Sequence, residues 1–253
     1  MTKLMQMIVA LGGAALAVTA TVPLRAQISQ TGYNTLTGTQ QVTFGGVAGG
    51  PVPGTNYDGL LVIDGVAFGE RFAGQTVTAN GVYDQIGGAP TGPLTLLPGA
   101  PGQNVSVFAS PAGPVLSGLG PLGFPASDAI GEGAFSILFP TLQSEFGLRL
   151  TGGNGGNAFI SFYGSDGTLL GSSTLSNLPL LSSYGFTSAN ADIAGVSFWN
   201  ADVTGVGLAG IRFNVATGVP EPGTWMTMLL GFAVIGVAIR RRRSGARMPV
   251  VAA

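Results

Sequence analysis

Apolar residues recur at every second position in short segments spread over most of the chain. Phe146, Leu148 and Leu150 alternate with Gly and Arg and would lie on one face of a strand. Residues 157–163 and 168–174 flank a Gly-bounded loop, a spacing typical of a β-hairpin. Because such segments follow one another at intervals of roughly 8–12 residues, the pattern predicts an all-β fold, specifically a β-sandwich.

The other predicted strands are shorter or less regular. Residues 60–63 are a continuous apolar run that predicts a buried strand, and Asp64-Gly65 predicts the tight turn after it. Asn80-Gly81 predicts a second hairpin. Residues 110–128 contain four prolines and are predicted to be a long connection packed on the core. Further strands are predicted at residues 104–109, 132–139, 145–150, 193–199 and 208–215.

The first 26 residues have the pattern of a secretory signal peptide. Lys3 precedes an apolar stretch, and small residues follow it. Cleavage is expected after Ala26, with Ala20 as the other small-residue exit. The alternative interpretation is an N-terminal membrane anchor that is not cleaved.

A second apolar stretch, residues 224–239, lies near the C-terminal end. It contains no charge and would form a helix of about 24 Å, slightly shorter than the roughly 30 Å hydrocarbon core of a bilayer. Trp225 stands at one end, where an amphipathic ring suits the membrane interface. At the other end stands a run of four arginines, Arg240, Arg241, Arg242 and Arg243. Such a run stays with the cytoplasmic headgroups, so the N-terminal bulk of the chain would lie outside the cytoplasm.

Directly before this stretch, Pro220, Glu221 and Pro222 form a short, rigid segment. Neither proline can donate a backbone hydrogen bond, and each restrains the residue before it to an extended conformation. The segment would therefore be available to a partner that recognises extended chain. The plainer interpretation is a membrane anchor with a proline-rich stalk.

Taken in order, the Pro-Glu-Pro segment, Trp225, the apolar span and the arginine run resemble the PEP-CTERM sorting signal of Gram-negative bacteria. The resemblance implies that a membrane protease, exosortase, recognises the tail and processes it near Pro-Glu-Pro. It also implies an association with exopolysaccharide. Residues 244–253 extend beyond the arginines, where members of that family usually stop.

The second half of the chain resembles a jelly-roll-like ectodomain found in other proteins with this signal. The segments that carry the resemblance are residues 146–148, 159–163, 166–171, 184–186, 193–196 and 205–213. The resemblance implies an architecture and no particular activity.

Composition supports strands and narrows the possible chemistry. The chain has 43 glycines and 16 prolines, and each interior glycine would cost a helix about 1 kcal/mol relative to alanine. It contains neither cysteine nor histidine. This excludes disulfides, thiol nucleophiles, Ser-His-Asp triads and histidine-based metal sites, and no cofactor is expected.

Charge is distributed unevenly along the chain. Residues 27–219 contain ten acidic residues but only three basic ones, Arg71, Arg149 and Arg212, which gives this part a formal charge of −7. Nucleic-acid binding needs clustered Lys and Arg. The ectodomain is therefore not expected to bind nucleic acid.

Carboxylate chemistry stays open as a weaker hypothesis. Glu70, Glu132 and Glu145 are the glutamates of the ectodomain and the candidate carboxylates for glycoside hydrolysis. No short motif links any of them to a second acid, so surface solvation or a local hydrogen bond is the plainer interpretation.

Calcium and sugars are two further hypotheses. Asp166 together with Asp192 or Asp202 would offer the oxygen ligands that calcium takes, although Asp-Gly is also ordinary turn chemistry. Four aromatic residues in predicted strands could stack on sugar rings if they are exposed, and would otherwise belong to the core: Tyr163, Tyr184, Phe198 and Trp199.

These patterns together predict an exported, non-catalytic protein of the cell surface or extracellular matrix. It would begin as an inner-membrane-anchored precursor with a periplasmic ectodomain and be sorted through its tail by an exosortase. The alternative is a carbohydrate-binding module for the cell's own exopolysaccharide. The predicted order is a signal peptide (1–26), a β-sandwich ectodomain (27–215), a Pro-rich stalk (216–223), a transmembrane helix (224–239) and a basic cytoplasmic tail (240–253).

Overall fold

A computed structural model of the protein describes residues 28–214 and Phe232. Within these residues the chain forms nineteen strands and two short 3-10 helices, at Tyr33–Thr35 and Ser127–Ala129. In chain order the strands are β1 (Ser29–Thr31), β2 (Gln40–Val42), β3 (Thr55–Tyr57), β4 (Leu61–Ile63), β5 (Val66–Gly69), β6 (Arg71–Phe72), β7 (Thr76–Asn80), β8 (Tyr83–Gly87), β9 (Leu96–Leu97), β10 (Val105–Ser110), β11 (Gly113–Leu119), β12 (Ile130–Gly133), β13 (Phe135–Gln143), β14 (Glu145–Thr151), β15 (Asn157–Tyr163), β16 (Leu169–Leu175), β17 (Leu181–Thr187), β18 (Ile193–Ala201) and β19 (Gly207–Asn214).

Two antiparallel sheets make up most of the fold. The larger sheet has nine strands in the order β1-β17-β14-β19-β11-β10-β3, with β2 beside β19 and β12 beside β11. The smaller sheet has six strands in the order β16-β15-β18-β13-β5-β4. Two short ribbons, β6–β9 and β7–β8, complete the fold. Many neighbouring strands are far apart in sequence, which agrees with a jelly-roll-like sandwich and not with a simple meander.

The two sheets face each other across a core rich in phenylalanine. Phe139 of the smaller sheet lies 5.9 Å from Phe146 and 5.3 Å from Phe213 of the larger sheet, measured between ring centroids. Phe162 of the smaller sheet lies 4.9 Å from Phe186 of the larger one. Because these rings join strands of different sheets, the predicted all-β sandwich is confirmed.

Several local predictions are also confirmed. Phe146, Leu148 and Leu150 are all buried, as their alternation along β14 predicts. Asp64 and Gly65 both have positive φ in the two-residue turn between β4 and β5, the geometry that an Asp-Gly turn favours.

The prediction that residues 60–63 are a buried run is wrong. Leu61 is buried, but Leu60 is exposed and the side chain of Val62 is 59% exposed. The reason is position, because β4 is the edge strand of the smaller sheet and turns one face to solvent.

The prediction that residues 110–128 are one long connection is also wrong, because β11 is an interior strand of the larger sheet. Pro111 lies in the turn before this strand and Pro114 near its beginning, and Pro121 lies beyond its end. The apolar stretch from Val115 to Leu119 is therefore free of proline and can pair on both sides.

Both ends of the described chain emerge at the same end of the larger sheet. Ser29 pairs with Thr187, Thr187 with Glu145, and Glu145 with Asn214, so the four residues form one row across four strands. Neighbouring strands lie about 4.8 Å apart, which places Ser29 and Asn214 roughly 14 Å from each other. We call this end the tether end, and the opposite end of the sandwich the far end.

Residues 70–103 leave the smaller sheet after β5 and return as β10 of the larger one. This segment contains both ribbons, and Phe72 and Leu96 form a small second hydrophobic cluster with Tyr163 of β15. The last residues of this segment precede β10, and Pro121 follows β11. Both therefore lie at the far end of the larger sheet, beyond Leu116, which pairs with Leu208 near the beginning of β19.

Candidate functional site

Glu145 at the tether end has a structural role. Its carboxylate accepts hydrogen bonds from the backbone N–H of Thr37 and of Gly38, both at 2.8 Å, and from the Thr37 hydroxyl at 2.9 Å. The side chain therefore fastens the N-terminal segment to the beginning of β14, next to the last residue of β19.

Glu132 is buried near the far end, with only 4% of its surface exposed. Among the described residues its Oε2 atom has no hydrogen-bond partner. Burial, and to a lesser degree the nearby Asp202 carboxylate, raise the pKa of Glu132 to about 7. This carboxyl group is therefore partly protonated at neutral pH.

Glu70, Arg71 and Asp84 line a cavity of about 490 Å³ at the far end, which we call the polar cavity. Glu70 is buried and forms an ion pair with the Arg71 guanidinium. Asp84 is also buried, and no hydrogen bond or ion pair joins its carboxylate to the described part of the chain. Burial, followed by the charge of Glu70, raises the pKa of Asp84 to about 6, and burial also raises the pKa of Glu70 against the opposing influence of Arg71.

The structure does not bring the three candidate glutamates together. Glu70 shares its cavity with Asp84, Glu132 lies near Asp202, and Glu145 binds backbone amides at the other end of the sandwich. The acid that accompanies Glu70 is therefore one that the sequence did not single out. Its only local signal is a polar residue in a hairpin strand, which does not reveal burial.

Each of the three acids considered for calcium accepts hydrogen bonds from protein groups. Asp166 accepts hydrogen bonds from the backbone and side chain of Thr168, and Asp192 accepts one from Ser188 at 2.7 Å. Across residues 28–214, no group of three or more acidic side chains is placed to hold a metal ion.

Asp202 joins two loops through several hydrogen bonds. It accepts hydrogen bonds from the backbone of Asn154 and Gly156 and from both the backbone and side chain of Thr204. Burial by itself would raise the pKa of Asp202, but these hydrogen bonds hold it below its usual value. Asp202 therefore fixes the residue 152–156 loop at the far end.

Two of the four candidate sugar-stacking residues belong to the core. Tyr163 and Phe198 are buried, so the stacking hypothesis is wrong for both. Trp199 is half-buried and its ring stacks on Phe159 at 4.0 Å and on Tyr83 at 6.3 Å, between ring centroids. These contacts hold β8 against the smaller sheet. Tyr184 is half-buried and packs against the core.

The predicted sorting residues lie outside the described residues, as do the predicted signal peptide, stalk and transmembrane helix. No helix in the described part of the chain is long and apolar enough to cross a membrane.

A family model described as the PEP-CTERM protein-sorting motif matches residues 218–243. A search of curated proteins found no match. The matched residues include the Pro-Glu-Pro segment, Trp225, the apolar span and the four arginines. The chain therefore carries a PEP-CTERM protein-sorting motif, the mark of an exported protein that an exosortase sorts.

Proposed function

We propose that this is a non-catalytic protein of the cell surface or extracellular matrix, associated with exopolysaccharide and delivered through its C-terminal tail. Pro220, Glu221 and Pro222 form the recognition element, and Trp225 positions it at the outer membrane interface. The four arginines at residues 240–243 fix the topology. The observation that carries this proposal is the sorting motif at residues 218–243.

The geometry of the β-sandwich supports this arrangement. The last strand ends at Asn214, a few residues before the motif, and the described chain begins on the same row of the larger sheet. A sandwich held from this end presents its far end, and the polar cavity with it, away from the membrane.

The test is to express the full chain in bacteria with and without an exosortase and to determine the C-terminus of the cell-surface form by mass spectrometry. We expect a C-terminus near Pro220 only where exosortase is present. Replacing Pro220, Glu221 and Pro222 with alanine should leave the full-length chain in the inner membrane.

Deletion of residues 244–253 is the matched control, because these residues belong to the tail but lie outside the motif. This deletion should leave processing unchanged. An intact C-terminus in the presence of exosortase, or normal processing of the triple-alanine variant, would contradict the proposal and favour a permanent anchor.

A further inference from the structure

The polar cavity has a wall of mixed chemistry. Glu70, Arg71, Asp84 and Gln103 supply its polar side, and Val77 with Pro121 supplies apolar surface. Its volume of about 490 Å³ lies within the roughly 300–1,000 Å³ that is usual for pockets that bind small ligands.

Asp84 is the feature of this cavity that points to a ligand. The residue is only 7% exposed, yet within residues 28–214 nothing donates a hydrogen bond to its carboxylate. Its oxygens open onto the cavity, so their hydrogen-bond donors must come from water or from a ligand held there. The neighbouring Glu70 differs, because Arg71 pairs with it.

The ionisation of Asp84 makes the need for a donor stronger. Burial and then the charge of Glu70 raise its pKa to about 6, so most of the group is still charged at neutral pH. A partner that donates hydrogen bonds to this carboxylate would stabilise the charged form, and hydrogen bonds to charged groups are stronger than neutral ones.

The cavity wall discriminates between classes of ligand. An anion would be repelled by the unpaired Asp84 carboxylate, and an apolar ligand would leave its oxygens without partners. Calcium takes six to eight oxygen ligands, whereas this wall offers two carboxylates, one of which Arg71 already neutralises. A neutral polyol fits better, because each hydroxyl can both donate to a carboxylate and accept from a guanidinium.

We propose that the polar cavity binds a neutral saccharide, with the Asp84 carboxylate accepting hydrogen bonds from sugar hydroxyls and Arg71 donating to them. The apolar surface of Val77 and Pro121 packs against the C–H face of the sugar ring. This assigns the exopolysaccharide association of the proposed function to a particular site, and the outward orientation of the cavity rests on that function.

The site is tested with the full-length protein in detergent on an array of neutral, amino-sugar and uronate oligosaccharides. We expect retention on neutral oligosaccharides and at least about tenfold weaker binding by Asp84→Asn, since hydrogen bonds to a charged group are lost. Asp84→Asn removes a buried charge, so its thermal unfolding temperature should equal or exceed that of the wild type. Loss of binding therefore cannot be attributed to unfolding.

Asp128→Asn is the matched control, because the same change is made at an exposed carboxylate. It should bind like the wild type. Absence of retention on every neutral oligosaccharide, or wild-type retention by Asp84→Asn, would overturn the proposal. So would calcium binding, measured by calorimetry with calcium chloride, that Asp84→Asn abolishes while no saccharide is retained. None of these results depends on sorting, so failure here leaves the C-terminal processing experiment unaffected.

Discussion

Three acidic side chains of this domain meet three different environments. Glu145 is surrounded by donors, Glu132 is buried with one oxygen unpartnered, and Asp84 faces a cavity. The free energy of ionising an acidic side chain depends on these surroundings more than on whether the residue is Asp or Glu. Glu145 stabilises the fold through its hydrogen bonds, whereas Glu132 and Asp84 destabilise it once they are ionised.

Glu132 should make the protein less stable as pH rises. Its pKa in the folded state is about 7, above the ordinary value of 4.5, so its favourable contribution is complete below about 4.5 and is lost as pH rises through 7. Glu132→Gln should therefore raise the free energy of unfolding at pH 8 by roughly 1–3 kcal/mol relative to wild type and change it little at pH 4.5. Urea unfolding followed by circular dichroism at the two pH values measures this.

Asp128→Asn is again the control, because it removes an exposed carboxylate and should not produce the gain in stability at pH 8. A Glu132→Gln variant that loses stability equally at both pH values would show that the carboxylate has a hydrogen-bonding role and not an electrostatic cost.

At the scale of elements, the contact between β11 and β12 depends on two facing glycines. Gly118 pairs with Gly133, and the register shifts directly after this pair. A Cβ atom on Gly133 would lie 2.3 Å from the Leu119 nitrogen, and one on Gly118 would lie 2.3 Å from the Gly133 oxygen. The two backbones therefore approach more closely than any residue with a side chain would permit.

Gly133→Ala should destabilise the domain by about 2 kcal/mol or more, because backbone atoms and not a flexible side chain must move to make room. Gly46→Ala is the matched control, since nothing lies within 4 Å of the position that its Cβ would occupy. Thermal unfolding of both variants measures the difference. Equal unfolding temperatures for the two would contradict the close approach of β11 and β12.

At the scale of the whole molecule, the sandwich has two functionally different ends. The tether end gathers both ends of the described chain, and the far end holds the polar cavity. The eight residues of β19 span most of this distance, roughly 23 Å at about 3.3 Å per residue. A protein held through its C-terminal tail would therefore separate its membrane attachment from its proposed binding site.

This orientation can be measured with single cysteines, because the chain contains none of its own. The Ser29→Cys substitution places a label at the tether end. The Val82→Cys substitution places one in an exposed turn that lies close to Gly120, just beyond the end of β11. With the full-length protein in liposomes, we expect a fluorophore at position 29 to be quenched strongly by a quencher on lipid headgroups and one at position 82 only weakly. Both labels should respond alike to a soluble quencher. Equal quenching by the lipid quencher would contradict the orientation.

Strands were predictable where one face of a regular alternation is buried, as in β14, and where a turn needs particular residues, as at Asp64-Gly65. Prediction failed where neighbours decide the outcome. The edge position of β4 exposes Val62, and the pairing partners of β11 make a strand of a proline-containing segment. In neither segment does local sequence specify which strand lies beside it.

By itself, the sequence determined the strand-rich fold class, the absence of cysteine and histidine chemistry and the sorting motif at residues 218–243. Each of these depends on composition or on the order of nearby residues. Only the tertiary structure decided that the described chain begins and ends on one row of a sheet and that Glu70 and Asp84 share a cavity. The physical reason is that burial and the loss of hydrogen-bond partners arise from contacts between segments that are distant in sequence. These contacts change the free energy of ionising a carboxylate, although the sequence pattern around it is the same.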